Sequence, residues 1–380
     1  MGPPQLQTAI VQTQEPSLPT SSLRLTVSHS VPIPALPSLN HVLVRVLAVA
    51  LNPTDFKMVT YFPQPGTNVP IGCDFCGVVE EAGSEATLTS FPRGTRVCGG
   101  LFPYGRTERK EDAISGAFAQ WVAADVSQLL RVPPTLNDLQ GAAIGGICWG
   151  TCVLALFADP EALALQGRPS RPDEKNIPVV VYGGATATGT MACQLLMLSG
   201  YSPIAVTSAG SAPLAQVYGA TRRAIRTKEV MGFEGFGHRV VLGENTYSRD
   251  ANVELYNRGN EWANEMQTSL DQGSIKPHPV REVEGQWQGI IEGLGMLQRG
   301  EVRGQKLVIR VAVFHIPARK GQRVTDAVAR NCVALQGGIT RSVAPAVLDL
   351  ERDALRATTA PWAGMPKLYH NDFPYPYRQC

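Results

Sequence analysis

Short apolar runs separated by glycine and proline dominate the first 160 residues of the chain. Residues 41–51 alternate and are rich in β-branched side chains, which predicts a strand that ends at the turn signal 52–55. Further short strands are predicted at 77–81, 96–98 and 117–123. Such a series predicts a compact, barrel-like β-rich domain. Residues 139–158 follow as a largely helical, apolar stretch.

The hydrophobic pattern changes after a polar, proline-bearing connector at 165–176. Residues 178–182 are continuously apolar, as in a buried parallel strand. Residues 187–199 have helical periodicity, and 203–207 form a second apolar run. Together they predict a βαβ unit that opens a doubly wound, nucleotide-binding α/β domain.

The remaining βα units of such a domain are missing from the pattern. Each unit needs roughly 30 residues, and residues 220–235 are too few to contain the central strands. Helices are then predicted at 261–272 and 286–298, and a strand at 306–313. The tail after 313 has no clear sheet rhythm and only weak helical periodicity, at 325–335 and 346–357.

Composition and charge narrow the class of protein. The chain has 44% hydrophobic and 17% charged residues and a formal net charge of +2, which favours a compact enzyme over a nucleic-acid binder or a disordered scaffold. No apolar run approaches the roughly 18 residues that cross a bilayer, and residues 1–22 lack a signal-peptide layout. We therefore expect a cytoplasmic protein without a membrane partner, whose eight cysteines are reduced.

The sharpest local signal is the sequence GGATATG at 183–189, between a predicted strand and a predicted helix. Gly183 and Gly184 permit a tight turn, and the helix N–H groups with the hydroxyls of Thr186, Thr188 and Thr190 can hold a pyrophosphate. Threonine stands where a central glycine of GxGxxG is expected. An ordinary tight turn is the alternative.

The residues after the second strand of this unit bear on the choice of cofactor. An acidic residue there would bind a ribose 2′-hydroxyl and favour NAD. This chain has Thr207 followed by small residues up to Ser211, which leave room and donors for a 2′-phosphate. The sequence therefore favours NADPH, and an ordinary polar loop is the alternative.

Three further features have a functional and a structural interpretation. Lys57 can hold a phosphate or a carbonyl, or donate a proton, but a lone lysine is commonly a solvated surface charge. Cys73 and Cys76 form a CxxC without a second ligand pair, so buried thiols are expected rather than a zinc or redox site. Residues 149–156 can line a cavity for an acyl chain, or only pack two domains together.

Several ordered segments resemble the zinc-independent medium-chain dehydrogenase/reductase superfamily: ALNPTDFKM at 50–58, PIGCDFCGVV at 70–79, GTRV at 94–97, GAFAQW at 116–121 and the turn GGATATG. The form of that turn, MLSGYSPIA at 197–205, KPHPV at 276–280 and LQRGEVRGQKLV at 297–308 look like the trans-acting enoyl reductases of fungal polyketide pathways, the lovastatin type.

This resemblance implies an α/β chain with a GroES-like β-rich domain and a Rossmann-type doubly wound domain, the latter truncated in its central strands. Residues 1–160 would begin the GroES-like catalytic domain, 177–260 would form the NADPH-binding domain, truncated after 220, and 261–313 would return to the catalytic domain. Residues 314–380 would be an atypical tail. Asp55 stands where zinc-dependent relatives have a cysteine ligand, so no metal is expected.

The implied reaction is NADPH-dependent reduction of an α,β-unsaturated thioester on the acyl carrier domain of a polyketide synthase or synthase–peptide synthetase hybrid. Lys57 or a bound water is the candidate proton donor. The implied cofactor contacts are Thr54, Asp55, Phe56, Lys57, Ala185, Thr186, Ala187, Thr188, Ser208, Ala209, Gly210, Ser211, Val302 and Arg303. The implied acyl site comprises Trp149, Gly150, Thr151, Cys152, Val153, Leu154, Ala155 and Leu156, with Val240, Val241, Leu242, Gly243 and Glu244.

The chain departs from the family after residue 220 and again after 313. An open sheet without its interior strands exposes unpaired edges, so we expect weak folding or weak activity of this chain. A stand-alone quinone or enal reductase, and an inactive product that at most binds a synthase, are the alternative functions.

Overall fold

The computed structural model describes residues 6–19, 21–104, 116–208, 211–219, 232–242 and 248–312. The predicted weak helices at 325–335 and 346–357, and the segment 220–231, lie outside the described residues.

The described residues begin with an antiparallel pair that the sequence did not predict, formed by strands β1 (Leu6–Gln12) and β2 (Leu25–Pro32). Ile10 and Leu25 are fully buried on it. The Ile10 backbone N–H donates to the Phe118 carbonyl, which ties the pair to the rest of the domain. Only part of each strand is buried, so neither gives a clean alternating pattern.

A larger sheet follows. Its first five strands and the two helices between them are β3 (His41–Ala50), α1 (Pro53–Tyr61), β4 (Asp74–Ala82), α2 (Glu85–Ser90), β5 (Arg96–Gly100), β6 (Trp121–Asp125) and β7 (Leu130–Arg131). Both β4 and β6 pair antiparallel with β3. Each of the four predicted strands overlaps an observed one, although β6 covers only the last three residues of the predicted 117–123. Eight of the ten residues of β3 are buried, which suits its β-branched composition.

The stretch predicted as one helix contains α3 (Asp138–Ile144), α4 (Ile147–Val153) and a π-helical turn at Leu154–Ala158. The break falls at Gly145, whose φ is +47°, and at Gly146, where a Cβ would lie 2.4 Å from the Gly100 nitrogen. By length and composition Asp138–Ala158 could cross a membrane, contrary to our expectation, but 78% of it is buried inside the protein.

The predicted βαβ unit is confirmed. It comprises β8 (Pro178–Tyr182), α5 (Ala187–Leu198) and β9 (Ser202–Val206), and α6 (Ala212–Val217) follows. β8 and β9 are parallel, from the pair Pro178 and Ser202 to the pair Tyr182 and Val206. Within the described residues this sheet has two strands, whereas a doubly wound domain of this type has about six.

The last described elements are α7 (Val253–Asp271), β10 (Val280–Glu282), α8 (Gln286–Gln298) and β11 (Lys306–Arg310). α7 begins eight residues before the predicted start, because Asn252 caps it and Leu255 continues its buried face. β11 pairs antiparallel with β3, so the chain returns to the larger sheet, whose order is β10-β11-β3-β4-β5-β7 with β6 also on β3.

Candidate active site

A buried carboxyl group stabilises the first turn of α1. The Asp55 Oδ2 accepts a hydrogen bond of 2.8 Å from the Asn52 backbone N–H, and Oδ1 accepts one of 2.8 Å from the Tyr104 hydroxyl. Burial raises the pKa of Asp55 to about 6. Because this side chain is fully buried and faces the core, it is not available to a cofactor, which corrects that part of the prediction for Asp55.

The neighbouring cluster contains a buried ion pair that the sequence analysis did not identify. Lys306 Nζ donates to Asp74 Oδ2 at 2.7 Å, to Asn52 Oδ1 at 2.9 Å and to Cys148 Sγ at 3.4 Å. Asp74 is fully buried and Lys306 is 3% exposed. Burial by itself lowers the pKa of Lys306, but the Asp74 carboxylate outweighs it and the pKa is raised. Asp74 and Lys306 each stand at the start of a largely apolar strand, β4 and β11, and these two charges were the signal available in the sequence.

The same carboxylate caps α4. Asp74 Oδ1 accepts hydrogen bonds from the backbone N–H groups of Gly146 at 2.9 Å and Ile147 at 3.0 Å. Gly146, at the N-cap, has no side chain to do this. A negative charge at a helix N-terminus is also favourable to the helix dipole. Asp74 therefore orients the helix that carries the predicted acyl-site residues.

The glycine turn before α5 is built by close packing. Gly183 has φ +76°, a conformation that favours glycine. A Cβ on Gly184 would lie 2.3 Å from the Ala205 Cβ, and one on Gly189 would lie 2.2 Å from the Gly183 carbonyl oxygen. Thr186 Oγ1 caps the helix by accepting from the Gly189 N–H at 3.1 Å. The N–H groups of Ala187 and Thr188 begin the helix without an intrahelical acceptor, so the turn fits a pyrophosphate through its backbone.

The threonine hydroxyls of the turn lie differently from the prediction. Thr188 directs its hydroxyl towards Cys148 Sγ, 3.8 Å away. Thr190 is 1% exposed and shares a hydrogen bond of 2.9 Å with His278 Nδ1. Burial, with Lys306 nearby, lowers the pKa of His278 to about 4. The prediction that Thr190 contacts a pyrophosphate is therefore wrong, because its hydroxyl faces the protein interior.

Three of the predicted site segments meet around Lys306. Asn52 begins the helix that contains 54–57, Cys148 precedes the predicted segment 149–156, and Thr188 ends the segment 185–188. Hydrogen bonds link Asn52 to Lys306, Lys306 to Cys148, and Cys148 to Thr188. The structure therefore brings together segments that are far apart in sequence, as a single site requires.

A small pocket lies beside α4, with a cavity volume of about 20 Å³. Its lining residues are Gly100, Gln128, Gly146, Ile147, Trp149, Gly150, Val153, Leu154, Gly235, Phe236 and Gly259. Four predicted acyl-site residues are among them. Cys152 lies on another face of the helix and donates to the Thr188 carbonyl at 3.3 Å, and Leu156 packs in the core. The pocket is mostly apolar and rich in glycine.

The second predicted acyl segment is not part of this lining. Val240 is fully buried and Leu242 is 2% exposed, and both pack in the core of the larger sheet. Val241 is half-buried. The prediction that Val240 and Leu242 line the pocket is therefore not supported, because the hydrophobic side chains are used for packing. Gly243 and Glu244 lie outside the described residues.

The remaining predicted cofactor contacts lie on partly exposed segments. Thr54, Phe56, Lys57 and Ser211 are half-buried, Ser208 and Arg303 are exposed, and Val302 packs partly on the core. Ser208 donates to the Ser211 hydroxyl at 3.0 Å. Gly304, next to Arg303, lies against Leu214 of α6. The loop that contains Val302 and Arg303 is therefore a neighbour of the helix that follows Ser211. Ala209 and Gly210 lie outside the described residues.

The cysteines of the CxxC are buried free thiols, as predicted. Burial raises the pKa of Cys76 to about 12, so it is protonated at neutral pH. In the part of the chain that the structure describes, no three His, Cys, Asp or Glu side chains come together as a metal-binding group.

Comparison with known proteins identifies the family. Residues 38–134 match the alcohol dehydrogenase GroES-like domain. The chain is 44% identical to the trans-enoyl reductase sthE of Phaeosphaeria nodorum, with 80% of this chain and 98% of that protein covered. The chain belongs to the trans-enoyl reductases. The trans-enoyl reductase calK of Penicillium decumbens is equally similar, at 44% identity over 80% of this chain and 98% of its own.

Solved structures show the same fold as this trans-enoyl reductase. The quinone oxidoreductase of Coxiella burnetii superposes with a TM-score of 0.52 at 19% identity, over 81% of this chain and all of its own. A variant of the crotonyl-CoA carboxylase/reductase AntE, solved in complex with NADP, gives 0.55 at 17% identity, over 82% and 96%. The predicted class, a GroES-like domain with a Rossmann-type domain, is confirmed.

The alignment with sthE also bears on the shortened sheet of this trans-enoyl reductase. It extends over 368 positions but includes only 80% of the 380 residues of this chain. The relative therefore has residues without a counterpart here. This agrees with the two-stranded cofactor sheet of the described residues.

Proposed function

We propose that this trans-enoyl reductase reduces an α,β-unsaturated polyketide thioester in the cytosol, with NADPH, on the carrier domain of a polyketide synthase or a synthase–peptide synthetase hybrid. The observation that carries the proposal is the position of the apolar pocket. α4 lines it through Trp149 and Val153, and on another face contacts the first turn of α5 through Cys152. One helix thus connects a mostly apolar pocket to the glycine turn that would hold the pyrophosphate.

The residues of the chain have distinct tasks in this proposal. When bound, NADPH supplies a hydride for the β-carbon of the substrate. The N–H groups of Ala187 and Thr188 would hold the pyrophosphate. The hydroxyls of Ser208 and Ser211 would donate hydrogen bonds to the 2′-phosphate, because residues 207–211 contain no acidic side chain to repel it. Lys57 Nζ, or a water molecule, would donate the proton to the α-carbon.

Turnover by the purified 380-residue chain tests the proposal directly. A pantetheine or carrier-bound enoyl thioester should cause oxidation of NADPH, and a quinone should not. Turnover of quinones and not thioesters would instead establish the stand-alone quinone reductase. Lys57→Met should lower kcat at least about 10-fold if Lys57 is the acid, and an unchanged kcat would leave water as the donor.

Within the described residues the sheet of the cofactor region has two strands, which favours a second candidate, a protein that associates with a synthase but has no reductase activity. Tyr182, at the end of β8, is 85% exposed, which is unusual for an aromatic residue beside a cofactor-binding turn. Titration of NADPH fluorescence distinguishes the candidates. Absence of NADPH binding with retention of synthase association would establish the second, and binding followed by thioester turnover would exclude it.

A further inference from the structure

Lys306 makes contacts that packing and sheet formation do not require. It is the first residue of β11, two positions before the residue that pairs with the last residue of β3. Its ammonium therefore lies where the chain leaves the sheet to begin α1. All three of its partners, Asn52, Asp74 and Cys148, belong to different segments, and the whole group is buried.

Stability alone does not account for such a pair. Taking two charges out of water costs several kcal/mol per ion, and an apolar replacement of a buried pair is often neutral or stabilising. A buried pair is better explained where it imposes one arrangement on its surroundings. Here the ammonium has direct contact with the N-cap of α1 through Asn52, and through Asp74 it has indirect contact with the first two N–H groups of α4.

We infer that Lys306 is a positioning residue, whose ammonium, with Asp74, holds the first turns of α1 and α4 in the one relative arrangement that aligns the active site. The inference rests on the proposed function, because α1 carries the candidate acid Lys57 and α4 lines the acyl pocket. Lys306 itself is buried beneath the site and has no part in the chemical step.

The arrangement extends to the cofactor turn. Cys148, one residue after the first residue of α4, lies 3.4 Å from Lys306 Nζ and 3.8 Å from the Thr188 hydroxyl. Cys152, one turn further along α4, donates to the Thr188 carbonyl. A displacement of α4 would therefore alter the pocket and the first turn of α5 together. Misplacement of about 1 Å can lower the rate about 100-fold.

Three variants separate positioning from stability. Lys306→Met leaves the Asp74 carboxylate buried without its partner, so its melting temperature should fall. The double variant Asp74→Asn with Lys306→Met removes both charges, and an asparagine at 74 still offers an oxygen to the N–H groups of Gly146 and Ile147. Lys175→Met, at an exposed lysine of the connector, is the matched control and should behave as the parent chain.

Three readouts are measured on all three variants and the parent chain: the melting temperature, NADPH-dependent thioester turnover, and hydrogen–deuterium exchange of peptides from α1 and α4. For the double variant we expect a recovered melting temperature, a kcat about 10- to 100-fold below the parent and an almost unchanged KM for NADPH. We also expect faster exchange in the first turns of α1 and α4. Recovery of kcat together with the melting temperature would overturn the inference.

Failure of the proposed function is distinguishable from failure of this inference. If the parent chain does not turn over an enoyl thioester, the proposed function fails, and the exchange measurement still decides the positioning role. Exchange in α1 and α4 of the double variant that equals that of the parent and of Lys175→Met would then overturn it. Faster exchange restricted to these two helices would support it.

Discussion

The GroES-like region and the cofactor-binding region of this enzyme differ in how fully their strands are paired and buried. In the first, β3 has a neighbour on both sides and is buried along most of its length. In the second, β8 and β9 pair only with each other within the described residues, and Tyr182 and Val217 are 85% and 68% exposed. A sheet stabilises its strands by pairing and by coverage of both faces, so the two regions should differ in stability.

Hydrogen exchange of the native protein gives the largest expected difference between the two regions. Amides of β3 should open only with global unfolding, whereas those of β8 and β9 should open with a free energy lower by at least about 3 kcal/mol. Within the described residues this sheet has only two strands, so each strand lacks a pairing partner on its outer edge. Equal protection of β3 and β8 would contradict the comparison and would show that the shortened region folds as one cooperative unit with the rest.

The pH dependence of stability compares a buried carboxyl of the GroES-like region, Asp55, with the imidazole of His278, which contacts Thr190 of the cofactor region. The folded-state pKa of Asp55 is raised to about 6, so its contribution to the free energy of unfolding falls by about 3 kcal/mol as the pH rises from 4 to 6. The pKa of His278 is lowered to about 4, so its contribution falls by a similar amount as the pH drops from 6.5 to 4.

These opposite slopes should nearly cancel in the parent chain, and urea unfolding should give an almost constant stability between about pH 4 and 6. His278→Gln removes one slope, so the variant should become less stable as the pH rises through this range. The control Asp55→Asn should show the reverse slope. A parent curve as steep as either variant would mean that one of the two groups is accessible to water in the folded protein.

Two glycine-to-alanine substitutions, one of them a control, test the closely packed turn before α5. Alanine is the better helix former by about 1 kcal/mol, so Gly189→Ala should stabilise α5 unless its Cβ is obstructed. The Cβ would lie 2.2 Å from the Gly183 carbonyl oxygen, and the turn must shift. We expect about 10-fold weaker NADPH binding by fluorescence titration.

Gly150→Ala is the control for this substitution, since a Cβ there meets nothing within 4 Å. It should leave NADPH affinity within about twofold and reduce only the space of the pocket. Equal affinity of the two variants would show that the turn does not bind the cofactor through its backbone.

Sequence patterns succeeded where a segment is buried by its immediate neighbours. The strands at 41–51 and 178–182 and the helix at 187–199 were predicted within a few residues, because the alternation or the apolar run is itself the packing surface. The ordered motifs predicted the family. The break between α3 and α4 was missed, because Gly145 and Gly146 are constrained by Asp74 and Gly100, which are distant in sequence.

By itself, therefore, the sequence determined the strands and helices with clear periodicity, the fold class, the family and the glycine turn. Only the tertiary structure decided that Asp74 and Lys306 form a buried pair, that Thr190 faces His278 and not a ligand, and that Val240 belongs to the core. The physical reason is that a buried polar group is stable only with a hydrogen-bonding partner. That partner here comes from a segment between 88 and 254 residues away, and no local pattern reports it.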